Sequence, residues 1–152
     1  MMEQLLKKQH DFFLSDQTKP LAYRRKQLEK LKHLVKWTRP KRVPSPLTSF
    51  YSKSFILKEP LGSVLIIGPY NYPFQLVVEP LIGALAAGNT AILKPSEHAV
   101  HTQNVLVELI QSIYDVHEIA IVTGDASVTQ ALIHLKFDHI FFTGSTKVGK
   151  IV

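Results

Sequence analysis

Asn71 stands between two tyrosines in Gly68-Pro69-Tyr70-Asn71-Tyr72-Pro73, directly after an apolar run. A carboxamide at such a place can donate to an oxygen that gains negative charge during a reaction. A turn-forming asparagine would have the same neighbours. Some twenty residues on, Lys94 and Glu97 close the run Thr90-Ala91-Ile92-Leu93. One offers donors and the other an acceptor, a combination suited to vicinal hydroxyls, or to a solvated pair at a helix start. Gly144-x-x-x-x-Gly149-Lys150 has the spacing of a phosphate-cradling loop, but position 151 is isoleucine where such a loop needs a hydroxyl for Mg²⁺. What survives is a strand-to-helix turn with two glycines, whose free amides suit a phosphate. His98 and His101 have helical spacing but no third ligand nearby, so no metal site is expected. The chain has no cysteine, which excludes thiol nucleophiles, cysteine-bound zinc and disulfides within it.

These residues need a frame that brings them together, and the stretch Leu61 to Glu97 supplies its pattern. Ser63 to Ile67 is a continuous apolar run, the signature of a strand buried on both faces. A core helix is expected from Pro73, with Leu76, Val77, Val78, Leu81, Ile82 and Leu85 leaving it almost no polar face. Gly88-Asn89 should stop it, and Thr90 to Leu93 should form a second strand. Helices follow at Thr102 to Tyr114 and Ser127 to His134, the latter with Ser127 as N-cap, and strands at Ile119 to Val122 and His139 to Phe142. The alternation predicts a doubly wound α/β fold with four parallel strands. Asn71, Lys94, Glu97, Gly124 and the Thr143–Gly149 turn all follow strand ends, and in a parallel sheet those ends share the edge where ligands bind. No G-x-G-x-x-G fingerprint is present, so a dinucleotide would have to bind by another geometry.

The first part of the chain differs in character. Residues 1–60 hold 14 Lys/Arg against 5 Asp/Glu, and residues 61–152 hold 4 against 7, so the net charge of +6 comes from the first part. Helices are expected over Glu3 to Ser15 and Leu21 to Lys36, the second amphipathic with a basic face. A basic helix can meet nucleic acid or an anionic surface, but without a nucleic-acid module it reads as a solvated face, and no nucleic-acid partner is expected. Trp37 to Pro46 holds three prolines in seven residues and reads as an extended linker, followed by a strand or arm over Ser49 to Leu57. The expected organisation is a helical segment over 1–36, a proline-rich linker and arm over 37–60, and a partial dinucleotide-binding domain over 61–152. Neither a membrane span nor a signal peptide is visible, which points to a cytoplasmic protein.

Taken together, Gly-Pro-Tyr-Asn-Tyr-Pro-Phe, the segment GALAAGNTAILKPSE and the segment FDHIFFTGSTKVGKIV resemble the aldehyde dehydrogenase superfamily, in particular its class-3-like branch. The resemblance covers Trp37 to Val152. It implies a Rossmann-like domain that binds NAD or NADP without a glycine-rich first turn. By position it makes Asn71 the side-chain donor to the oxyanion derived from the aldehyde. Lys94 and Glu97 match the residues that hold the adenosine ribose hydroxyls, and Gly124 matches the adenine-side loop. Thr143, Gly144, Ser145, Thr146, Val148 and Gly149 match the turn and helix start beside adenine and pyrophosphate.

The family reaction oxidises an aldehyde to a carboxylic acid: a cysteine thiolate attacks the carbonyl, hydride passes to nicotinamide, and a glutamate-activated water releases the acyl group. Neither the cysteine motif nor the glutamate motif is in these 152 residues, so the chain alone is expected to be inactive. The resemblance also makes Ser49 to Leu57 part of an arm that joins subunits, implying a homo-oligomer; where Lys36 adjoins Trp37, full-length members run through several tens of further residues, so either the resemblance is looser there or an internal piece is absent. The alternative reading is a stand-alone nucleotide-binding or interaction module without catalysis.

Overall fold

A computed structural model describes residues 2–31, 40–46, 48 and 51–152. The junction between Lys36 and Trp37, the end of the second expected helix and residues 49–50 of the expected arm lie outside the described residues.

The centre is a four-stranded parallel sheet built from β3 (Ser63–Ile67), β4 (Thr90–Lys94), β5 (Ile119–Ile121) and β6 (His139–Phe142), in the order β5-β4-β3-β6. Every residue of β3 and β4 is buried, as expected of central strands written in Val, Leu and Ile. Alternation sends Val64 and Ile66, with Ala91 and Leu93, to one face. There they meet α3 (Gln75–Ala87) and α4 (Val100–Ile113) through Val77, Leu81, Leu85, Leu106 and Ile110. Leu65, Ile67, Ile92 and Ala120 face the other way, against Leu132 of α5 (Ala126–Ile133) and Met2 and Leu5 of α1 (Met2–Leu14). Each fully buried Leu or Ile contributes roughly 1.5–3 kcal/mol, so the two clusters hold the sheet from both sides.

Helix α2 (Leu21–Leu31) packs against α3. That contact is why α3 needs so little polar surface. Polar bonds also tie α2 to the segment between α4 and β5: Tyr23 Oη and Gln27 Nε2 both donate to Glu118 Oε1 at 2.6 Å, and Tyr114 Oη donates to the Gln27 carbonyl at 3.1 Å. Burial and then the Glu118 carboxylate push the Tyr23 phenol well above its ordinary range. From α1, the fully buried Gln9 donates through Nε2 to the carbonyl of Ala91 at 2.9 Å. Among the described residues, no helix is long and apolar enough to cross a membrane.

Several boundaries differ from the sequence reading. Helix α3 starts at Gln75, two residues after Pro73, because Tyr72 takes a left-handed conformation (φ 51°) and the chain turns once more before the helix. A non-glycine residue held there costs ~1–3 kcal/mol. Pro80 lies inside α3, where it has no N–H to donate. At the other end Gly88 (φ 90°) donates to the Ala84 and Leu85 carbonyls and Asn89 N–H to Ala84, the 6→1 and 5→2 pattern that closes a helix on a left-handed residue. The N-cap of α5 is Asp125, not Ser127: its carboxylate accepts from the backbone N–H groups of Ser127 and Val128. A carboxylate two residues earlier reaches those amides, whereas Ser127 is already inside the first turn. Helix α4 begins two residues earlier than expected and β5 ends one residue earlier.

The proline-rich stretch is more ordered than a linker. Lys41–Val43 (β1) pairs antiparallel with Ser54–Ile56 (β2), within the expected arm, and Ser45 Oγ donates to the Ser52 carbonyl at 2.8 Å. The prolines flank the three paired residues and do not interrupt them, which is where a strand tolerates proline.

Candidate active site

At the C-terminal edge of the sheet, the turns after β3, β4 and β6 and the facing side of α5 enclose a cleft of about 630 Å³. Asn71 lines it from the β3–α3 turn, Glu97 from the turn after β4, and Thr143, Gly144, Ser145 and Val148 from the end of β6 and the short helix α6 (Thr146–Gly149) that follows it. Six of the ten residues singled out from the sequence therefore meet in one place. Lys94 stands directly behind the cleft, while Gly124, Thr146 and Gly149 do not line it.

Asn71 is exposed, and among the described residues its carboxamide makes no hydrogen bond. The strand-to-turn geometry presents it: Gly68 N–H still bonds to the Lys94 carbonyl at 3.0 Å, extending the sheet by one residue before the chain leaves it. A side chain at Gly68 would overlap Val77 of α3, so the close approach of that turn to the helix requires glycine.

Lys94 is 1% exposed, and its ammonium donates to the Pro95 carbonyl at 2.9 Å and to Glu97 Oε2 at 3.4 Å. An ammonium that far inside needs both partners. Glu97 is the half-exposed end of the pair. Burial pushes its carboxyl up, but backbone hydrogen bonding and the Lys94 ammonium outweigh burial and hold it below the usual carboxylate range. Glu97 is therefore an anion at neutral pH, an acceptor facing the cleft and oriented from behind.

Opposite it, Ser145 caps α6 (Thr146–Gly149), its Oγ accepting from the Val148 N–H at 3.3 Å. A Cβ at Gly144 would run into the ring of Phe142, so the turn folds back tightly on the strand it leaves. Phe142, Val148, Ile151 and, from α5, Ile133 form an apolar wall. Ile151, which argues against a magnesium-dependent phosphate loop, is part of that wall, and Lys150 is not among the lining residues.

Tyr70 and Ser96, which also follow strand ends, line the cleft too, and His98, Thr129, Gln130 and Ile133 line it without having been expected there. Thr129, Gln130 and Ile133 lie on one side of α5, a helical period that becomes informative only once that side is known to face a ligand. Among the described residues no group of three His, Asp or Glu gathers as a metal site.

A four-stranded parallel sheet with a mixed polar and apolar cleft across its C-terminal edge defines a Rossmann-like α/β protein, whose ligands bind at that edge. The chain belongs to the aldehyde dehydrogenase family, which it matches over residues 6–152. It is 57% identical over 121 residues to 4,4'-diaponeurosporen-aldehyde dehydrogenase of Staphylococcus aureus, covering 80% of this chain and 26% of that protein. To human aldehyde dehydrogenase family 3 member B1 it is 47% identical over 122 residues, again 80% of this chain and 26% of the relative. In structure it matches the substrate-bound state of Staphylococcus aureus AldH with a TM-score of 0.89 and 41% identity, over 99% of this chain and 42% of that one. A glyceraldehyde-3-phosphate dehydrogenase from Methanocaldococcus jannaschii complexed with NADP shares the fold, with a TM-score of 0.65 and 22% identity over 98% of this chain and 37% of that one. The chain spans about a quarter of the length of the curated relatives it matches.

Proposed function

We propose that this chain provides the NAD(P)-binding cleft and the oxyanion donor for oxidation of an aldehyde to a carboxylic acid. The observation that carries the reading is the meeting of Asn71, Glu97 and the Thr143–Ser145 turn in one cleft at the C-terminal edge of the sheet. The lining fits a dinucleotide: an apolar wall of Phe142, Val148, Ile151 and Ile133 suits a flat base, and Glu97 is an anionic acceptor for ribose hydroxyls. Lys94 acts from behind by fixing Glu97, at 3.4 Å.

The nicotinamide cofactor, when bound, accepts the hydride that leaves the aldehyde carbon, and water supplies the second oxygen of the acid. The role of this chain is to position and stabilise. Asn71, with its carboxamide free at the mouth of the cleft, donates to the carbonyl oxygen as that oxygen gains charge. A preorganised donor there acts only on the transition state and needs no rearrangement. The thiol and the general base of the family reaction are not among these 152 residues. We therefore assign the polypeptide alone nucleotide binding without turnover. The β1–β2 hairpin, with Phe55, Ile56 and Leu57 exposed, is the segment we assign to contact between subunits.

Titration calorimetry of the 152-residue chain with NAD tests the assignment, with inosine as a control lacking both phosphate and adenine. Saturable, one-site binding of NAD, weakened at least tenfold by Glu97→Ala, is the expected result. A folded sample that takes up no NAD, or takes it up equally well without Glu97, sinks it.

A further inference from the structure

The Asn71 carboxamide is exposed and makes no hydrogen bond among the described residues, so its direction rests on the backbone that carries it. That backbone is clamped at both ends. Gly68 N–H is bonded to the Lys94 carbonyl at 3.0 Å, and the Tyr72 carbonyl accepts from Leu76 N–H, in the first turns of α3, at 3.1 Å. Between the clamps the ring of Pro69 fixes its φ, and Pro73 does the same just beyond them. Tyr72 is the joint, with a φ of 51° in the left-handed region.

The residue type at that joint is the unexpected part. Left-handed positions usually fall to glycine, asparagine or aspartate, as they do at Gly88 and Asp16. Tyrosine has no short polar side chain to bond locally there, and a following proline pushes its neighbour further towards extended backbone. The Tyr72 ring is 70% exposed, so its burial offsets little of the cost. What a Cβ does provide is precision. Glycine moves over the whole range of positive φ, the mirror image of the extended region included, whereas an L-residue held at positive φ has one small basin.

We propose that Tyr72 is a positioning residue for Asn71: through its backbone, not its ring, it confines the turn so that the carboxamide leaves the sheet edge in one direction. The proposal rests on the reading of Asn71 as the oxyanion donor. It supplies what a preorganised donor requires, a direction fixed before any charge develops. The strain at Tyr72 is then stability given up for a fixed site.

Two variants of the 152-residue chain separate backbone from ring. Tyr72→Asn removes the ring but keeps a Cβ on a residue type that tolerates the left-handed region, and Tyr72→Gly removes both. The readouts are the nitrogen-15 order parameter of the Asn71 backbone amide and the melting temperature. In the natural chain the order parameter should be about 0.85, the value of rigid backbone, and Tyr72→Asn should keep it. Tyr72→Gly should bring it below about 0.6, the flexible range. Relief of strain should raise the melting temperature of Tyr72→Asn by about 2–4 °C, and Tyr72→Gly should melt no lower than the natural chain, so that the loosening is local and not a loss of fold. If Tyr72→Gly leaves Asn71 as rigid as in the natural chain, or Tyr72→Asn loosens it to the same extent, the backbone of Tyr72 does not position the donor and the proposal is overturned. An Asn71 amide already in the flexible range in the natural chain overturns it as well. No substrate enters these measurements, so they stand apart from the donor reading, which falls separately if Asn71→Ala in an active enzyme carrying this cleft retains its kcat.

Discussion

Asn71 and Asn89 carry the same side chain at opposite ends of the same sheet, and they are used in opposite ways. Asn89 is 8% exposed. Its Oδ1 accepts from the backbone N–H groups of Leu61 at 2.7 Å and Gly62 at 2.9 Å, and its Nδ2 donates to the Ala84 carbonyl at 3.2 Å. Two separate pieces of backbone, the entry to β3 and the end of α3, are joined through one carboxamide. Asn71 is exposed and makes no hydrogen bond among the described residues. The contrast extends along both edges. At the N-terminal edge Asp138 accepts from Ser63 N–H at 2.8 Å and Ser63 Oγ shares a hydrogen bond with Thr90 Oγ1 at 2.9 Å. At the C-terminal edge Asn71 and Thr143 face an open cleft, and Glu97 and Ser145 each spend only part of their bonding capacity on the protein. One edge is closed by its own polar groups, and the other keeps them in reserve.

The sharpest way to break this contrast is to remove each carboxamide in turn. In an active enzyme carrying this cleft, Asn71→Ala should lower kcat by about 10²–10³ while leaving thermal stability unchanged, since the lost donor acts on developing charge and on nothing in the folded chain. Steady-state kinetics beside a melting curve measures both, and a drop in melting temperature with kcat retained would reverse the assignment. Asn89→Ala should do the converse. It leaves the backbone N–H groups of Leu61 and Gly62 without their partner, for a loss of about 2–4 kcal/mol in chemical denaturation. The affinity of the remaining folded protein for NAD should stay within about twofold, because Asn89 lies at the far edge.

The same contrast explains which features were legible in the sequence. Strand β3 coincides with the uninterrupted apolar run Ser63–Ile67, because a central parallel strand is buried on both faces and tolerates little else, and β6 spans the expected residues although it lies at the sheet edge and is only partly buried. Gly88-Asn89 announced the end of α3, since a left-handed residue there calls for glycine. Asn71 and Glu97 could be placed near one another because both follow strand ends. What could not be read was whatever depends on contacts distant in sequence. The role of Gln9 depends on a carbonyl 82 residues away, and the pairing of Lys41–Val43 depends on β2. Lys94 offered no sign that its charge would be buried, because burial came from the elements packed around β4. His98 looked like half of a histidine pair, and only the folded turn sets it beside Glu97 on the cleft wall.

Asp125 provides the smallest test and falls between the two kinds of use. It sits at the C-terminal edge after β5, yet it does not line the cleft, and its Oδ1 is spent on the protein, accepting from Ser127 Oγ and the backbone N–H groups of Ser127 and Val128. The Ser127 hydroxyl first, and then the two amides, hold its carboxyl below the usual carboxylate range. In the folded state Asp125 therefore binds a proton less readily than in the unfolded state. Its contribution is complete above the ordinary carboxylate pKa of about 3.9 and fades as pH falls through the depressed native value. Asp125→Asn keeps a capping acceptor but cannot titrate. Denaturation midpoints of the two proteins should differ by a small constant amount at neutral pH and converge as the solution is acidified. Parallel curves down to the acid limit would mean that the carboxylate does not carry the cap. A loss of NAD affinity in the variant would move Asp125 from the closed side of the comparison to the reserved one.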